Sequence, residues 1–249
     1  MLTFAGIAPH SLELLKSPKK LSATLDALKE MQKTFLAAKP EIVVIISPHG
    51  TILQKAFAVN LAQDYEVDLL DLGVKLPKRT YKGDPLNTVA IRKERLTDTE
   101  APVTLVSARK LDYGSAIPLS FLVQKDDATI IPVSPSEHDL ATQYAFGNTM
   151  KEIIMGSTKR FAVIASAGLA RDQKSKAFDA MILENLSSDE KVKELLAVSD
   201  ATQKEADACG FRPIVMLMGI LQGLPWTYQQ LSYETVLRGL LVASFTVQT

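Results

Sequence analysis

Ile42-Val43-Val44-Ile45-Ile46-Ser47-Pro48-His49-Gly50 is the stretch that decides the fold. Its β-branched residues follow one another without alternation, a pattern that suits a strand covered on both faces, and the proline and glycine behind them turn the chain. Towards the N-terminus, Leu21, Leu25, Leu28, Met31, Phe35 and Leu36 recur at helical spacing, which predicts a helix over 18–38 that stops before Pro40. Residues 2–7 read as an earlier buried strand, again ended by a proline. Strand, helix and strand in this order form the crossover unit of a parallel sheet.

Towards the C-terminus the alternation continues. Further buried strands are expected at 56–60, 66–70, 129–134 and 161–166, with a helix over 139–155. Residues 187–223 read as helical, and a final strand is expected over about 235–247. The polar stretch 75–102, with its Lys82-Gly83-Asp84-Pro85 turn and Arg92-Lys93-Glu94-Arg95 run, reads as a surface excursion carrying a short helix. No linker or repeat divides the chain. The expectation is one α/β domain over 1–249, three layers α/β/α, with a mainly parallel or mixed central sheet.

The chain has 249 residues, 47% of them hydrophobic, enough for a full core and against a disordered main state. Its 28 basic and 28 acidic residues cancel, which gives no electrostatic reason to expect nucleic acid or a membrane surface as partner. The apolar runs fall short of the roughly 20 residues of a membrane span. A single cysteine, Cys209, excludes an internal disulfide, and the start of the chain lacks a signal-peptide pattern. A cytoplasmic protein with a small-molecule or protein partner is expected.

Two of the three histidines sit in matching places: Ala8-Pro9-His10-Ser11 after the first strand and Ser47-Pro48-His49-Gly50 after the second. Parallel strands end on one edge of their sheet, where ligands of open α/β sheets gather, so His10 and His49 are expected to face one cleft. The prolines stiffen both turns. Two imidazoles and one anionic ligand would leave open positions on a divalent metal, as in non-haem iron sites. The competing reading makes each Pro-His an ordinary turn.

At this point the chain resembles the class III extradiol ring-cleavage dioxygenases, in their B-type catalytic chain, together with their Memo-like relatives. The resemblance rests on several blocks in the family's order, beginning with Gly6-Ile7-Ala8-Pro9-His10 and the stretch quoted at the start. Leu111-Asp112-Tyr113-Gly114, Ile164-Ala165-Ser166-Ala167-Gly168-Leu169 and Phe178-Asp179 follow, then Ala208-Cys209-Gly210 with Pro213-Ile214, and Ser232-Tyr233-Glu234 ahead of Gly239-Leu240-Leu241-Val242-Ala243. It implies a cleft in which His10 and His49 hold iron(II), an aromatic diol is bound, and oxygen opens the ring beside the hydroxyls. Zinc or copper are the alternative metals, and a metal-free relative is a further alternative. The implied partners are a small aromatic diol and further protein chains, either copies of this one or a small companion chain.

The chain departs from the family pattern in three places. Tyr113 and the Ala170-Arg171 pair stand where auxiliary histidines are usual, and neither tyrosine nor arginine is a good base at neutral pH. Both are candidates for orienting substrate, with Arg171 alternatively in a salt bridge to Asp172 or Asp112. Ring-cleaving relatives place a glutamate near Ala208, whereas Memo-like ones use the cysteine of Cys-Gly-x-x-Pro-Ile, which Cys209 matches. Glu205, one helical turn earlier, and Asp207 are the competing third ligands, and a site without one is the remaining option.

Other residues carry plainer expectations. His138 is assigned surface or capping duty at a helix start, with an approach to the cleft as the alternative. Trp226 and Phe211 are assigned to core or interface, and Met216, Met218 and Leu221 to helix packing. Three functions compete: an iron-dependent dioxygenase for catechol-like or aminophenol-like rings, a non-catalytic Memo-like protein binding a metal, peptide or partner, and a zinc hydrolase built on the same histidines.

Overall fold

The computed structural model describes residues 1–94, 101–123, 128–171 and 176–248. Strand β1 (Leu2–Ala8) is followed by a short helix α1 (Glu13–Lys16), the long helix α2 (Ser22–Ala37) and β2 (Ile42–Ile46). Then come β3 (Phe57–Asn60), β4 (Asp64–Val67), β5 (Arg79–Lys82), α3 (Pro85–Glu94), β6 (Val103–Val106), α4 (Tyr113–Leu122) and β7 (Thr129–Ser134). Helix α5 (Leu140–Gly156) leads to β8 (Phe161–Ser166), and helices α6 (Lys176–Asn185), α7 (Val192–Leu196), α8 (Asp200–Ala206) and α9 (Phe211–Leu221) precede the hairpin β9 (Trp226–Thr235) and β10 (Gly239–Val247).

The large sheet runs β6-β3-β7-β2-β8-β1-β10-β9, and β4 and β5 pair in a small sheet of their own. The middle strands β7, β2, β8 and β1 are all parallel, while β10 and β9 extend the β1 side antiparallel and β3 joins β7 antiparallel. The sheet is mixed, with a parallel centre.

Strand β2 is buried along its whole length, as its unbroken apolar run requires. Ile42, Val44 and Ile46 face one core with α5 and α9, while Val43 and Ile45 face the other with α2 and α4. This alternation puts a helical layer on each face and leaves the loops at the carboxyl edge free to build a site. Helices α5 and α9 cross very closely because both carry glycine at the crossing. A Cβ on Gly147 would lie 2.1 Å from the Met216 carbonyl, and one on Gly219 2.1 Å from that of Tyr144.

Several sequence expectations need correction. The strand expected at 66–70 runs Asp64–Val67, because Asp68 and Leu69 already turn into the 3-10 turn Leu70–Leu72. The region 75–102 is more than a surface excursion: β5 buries Tyr81, although residues 95–100 of that stretch lie outside the described residues. Residues 187–223 are not one helical run, since the chain breaks at Ala197 and again at Asp207, whose φ of 47° is left-handed. The final strand begins at Gly239 and not at 235, because Val236-Leu237-Arg238 turns the chain, and a further strand, β9, precedes it, with Trp226, Tyr228, Leu231 and Tyr233 packed against the core. His138 sits next to the α5 cap, but the capping side chain is Asp139. Phe211 is buried in the core and Trp226 packs edge-on against Phe245. Among the described residues no helix is long and apolar enough to cross a membrane.

Candidate metal centre

Three neighbouring parallel strands, β2, β8 and β1, end side by side and supply His49, Ser166 and His10. His10 is 4% exposed. Its Nδ1 lies 2.8 Å from Ser166 Oγ, and that hydroxyl donates its one proton to the Gly114 carbonyl. The Ser166 oxygen can therefore only accept from His10, which places the imidazole proton on Nδ1 and leaves the Nε2 lone pair pointing into the site. His49 Nε2 lies 3.1 Å from His10 Nε2, the rings meeting edge to face. Burial drives both imidazoles towards the neutral form, His10 down to about 3, helped by the neighbouring His49 and Arg238. Neutral imidazole is the form that ligates a metal.

Tyr113, the first residue of α4, stacks on the His49 ring at 4.2 Å, and its hydroxyl is 2.8 Å from His49 Nε2. The helix starts there because Asp112 caps it, accepting from the Ser115 backbone N–H while also holding the Ser47 hydroxyl. Burial raises the Tyr113 pKa, so at neutral pH the group is a hydrogen-bond donor and not a base.

Cys209 completes the cluster from the turn between α8 and α9, its Sγ 3.4 Å from His10 Nε2. One ligand atom from each of His10, His49 and Cys209 lies within 4.8 Å of the others. Two nitrogens and a sulfur closing on one point, with a lone pair fixed towards it, suit a divalent ion that keeps open coordination positions. The alternatives for the third ligand are not brought there. The break at Asp207 ends the helix that would have stacked Glu205 beside Cys209, Glu205 is exposed, and Asp207 is engaged by Arg171 and Arg238.

Arg171 is not at the cluster either. Its side chain is 73% exposed and pairs with Asp207 at 3.4 Å, not with Asp112; Asp172, its other expected partner, lies outside the described residues. The guanidinium that touches the centre belongs to Arg238, 3.0 Å from Cys209 Sγ. Sequence reading does not single it out, because it falls within 235–247, which reads as one strand. A glycine within a short break between two strand-like runs, here Leu237-Arg238-Gly239, was the available signal. Ser166 enters the sequence reading only as part of a block, without its role. His138 lies beside Phe57, at 6.2 Å between rings, and is not part of the cluster.

The centre is reached from two sides. A cavity of about 410 Å³ is lined by His49, Tyr113, Asp112, Lys110 and Ser134. Another of about 640 Å³ is lined by Cys209, Pro48, Phe211, Lys204 and Arg212.

Residues 8–238 match the model of the catalytic LigB subunit of aromatic ring-opening dioxygenase, a span that holds all three cluster residues. The chain belongs to this family. Protein CA_C1420 of Clostridium acetobutylicum is 22% identical over 241 residues, covering 87% of this LigB-family chain and 50% of that protein. The chain thus spans about half the length of this curated relative. The crystal structure of the uncharacterized protein JW3007 from Escherichia coli K12 shares the fold, with a TM-score of 0.69 at 14% identity over 97% of this chain and 99% of that one.

Proposed function

We propose that this LigB-family protein holds a divalent metal between His10, His49 and Cys209 and opens an aromatic ring that carries adjacent hydroxyls, or a hydroxyl beside an amine, with molecular oxygen. The observation that supports it is the 3.1 Å approach of the two histidine Nε2 atoms with the cysteine sulfur beside them. Iron(II), when bound, would supply the redox chemistry that lets ring and oxygen react.

The chain's own residues bind and orient. The 410 Å³ cavity is large enough for a single ring, and the Tyr113 hydroxyl, 2.8 Å from His49 Nε2, would donate to a substrate oxygen at the His49 side. Lys110, although tied to Asp71 at 2.7 Å, brings a positive charge to the far wall. Among the described residues the cluster has no base besides the two imidazoles assigned to the metal. A positioned acid/base contributes about 10²–10⁴-fold in such reactions, so slow cleavage of simple catechols is the expected behaviour.

The test begins with metal content after anaerobic purification without chelators, followed by oxygen uptake on iron-loaded protein with catechols and 2-aminophenols. Bound iron with slow, substrate-dependent uptake supports the proposal; protein that takes up no metal overturns it. A second reading is favoured by the thiol standing where ring-cleaving relatives use a carboxylate, since thiolates suit zinc or copper. In that reading the protein is a non-catalytic binder of metal, peptide or partner, and retained zinc without oxygen uptake would select it.

A further inference from the structure

The guanidinium of Arg238 is held by groups other than the cysteine it touches. Its Nη1 donates to the Leu169 carbonyl at 3.4 Å and the Asp207 carbonyl at 3.3 Å, and its Nη2 pairs with Asp207 Oδ2 at 3.6 Å. Its side chain is only 21% exposed, and it packs over Gly168, where an added Cβ would come within 2.7 Å of Arg238 Cδ and 3.2 Å of Cys209 Sγ. The hairpin turn that carries it is anchored independently. Gly239 exchanges backbone hydrogen bonds with Leu169 and Ala170, and the buried Asp179 carboxylate accepts from the Ala170 N–H and the Tyr233 hydroxyl.

Arg238 is thus fixed first, and the sulfur second. We propose that Arg238 is the positioning residue of the metal centre: it donates to Cys209 Sγ at 3.0 Å and holds that sulfur on the side of His10 as third ligand. Without it, among the described residues, Cys209 stands in a turn with the Gly168 carbonyl, at 3.6 Å, as the one further hydrogen-bond contact for Sγ besides His10. Groups that orient a metal ligand typically set affinity by 10–100-fold.

This inference rests on the metal reading of the cluster, and cobalt(II) titration separates the two. The wild type should bind cobalt with a near-ultraviolet sulfur-to-cobalt charge-transfer band that Cys209→Ser lacks. Arg238→Met should weaken cobalt binding by about 10–100-fold and reduce the band. Arg238→Lys should recover part of both, and Arg171→Met, which alters the other partner of Asp207, should match the wild type. Circular dichroism and a melting curve establish that each variant is folded. If Arg238→Met does not fold, Arg238→Gln, which keeps a shorter donor, carries the comparison with the same expected direction. An unchanged band and affinity in a folded Arg238 variant overturns the role of Arg238 alone, as does an equal loss in Arg171→Met. A wild type with no cobalt affinity overturns the metal reading and this inference together.

Discussion

His10 and His49 stand at the ends of parallel strands with β8 between them, whereas Cys209 stands in a turn between two helices and Arg238 in the hairpin turn at the edge of the sheet. On the first side, backbone register alone brings the imidazoles to one edge, and Ser166, on the strand between, fixes the proton of His10. On the second, position depends on side-chain ties: Arg238 to Asp207 and Cys209, Tyr233 to Asp179, and Glu234 to the Thr24 backbone N–H. One cluster thus combines side chains of unequal rigidity, with the nitrogens set by the fold and the sulfur by a local network.

Removing a nitrogen should have the largest effect. His49→Ala should abolish metal retention through dialysis while leaving the melting temperature of the metal-free protein nearly unchanged, because the ring lies in a loop after β2; elemental analysis and a thermal melt check both. Loss of folding instead would make the histidine structural. Next in size, Ser166→Ala should lower metal affinity by about 10–100-fold, because it frees the His10 tautomer and ring orientation; competition with a chelator of known affinity measures it.

The depressed pKa of His10 gives a pH prediction with a definite sign. Between about 3, where the folded protein keeps this imidazole neutral, and its ordinary value near 6.5, the unfolded chain binds more protons. Stability of the metal-free protein should therefore be full above pH 6.5 and fall as the pH drops towards 3, with a slope of up to about 1.4 kcal/mol per unit from this one group. Denaturant melts of wild type and His10→Gln measure it. An equal slope in the two would show that His10 is not buried neutral.

On the tied side, smaller effects are expected. Glu234→Ala removes the acceptor for the Thr24 N–H and hydroxyl and should cost about 1–3 kcal/mol, read from denaturant melts, with no change at the histidines. Arg171→Ala should change stability by less than about 0.5 kcal/mol and leave metal content unaltered, because its ion pair is exposed. A large effect there would return Arg171 to the site.

The same division explains what the sequence reveals. Unbroken apolar runs such as Ile42–Ile46 announce a covered strand, and a proline behind each run marks where it ends, so the sheet centre, α2 and the paired histidines are legible in the sequence. Cys209 is legible only through resemblance, with Glu205 and Asp207 as competitors, because the left-handed turn at Asp207 has no strong sequence mark. Arg238 is marked only by the glycine that follows it, which signals a turn and not a role. Its importance comes from a contact 29 residues away along the chain, made by a turn inside what reads as one strand.

The strand order also sets a timetable. Strand β1 carries the approach to His10, yet both its neighbours, β8 and β10, come from far later in the chain. During synthesis, which proceeds from the N-terminus at about 5–20 residues per second, β1 has no edge partner until β8 emerges, and Cys209 and Arg238 follow later still. The complete His10, His49 and Cys209 cluster therefore comes together late, after every element from β1 to the turn between β9 and β10 has been made.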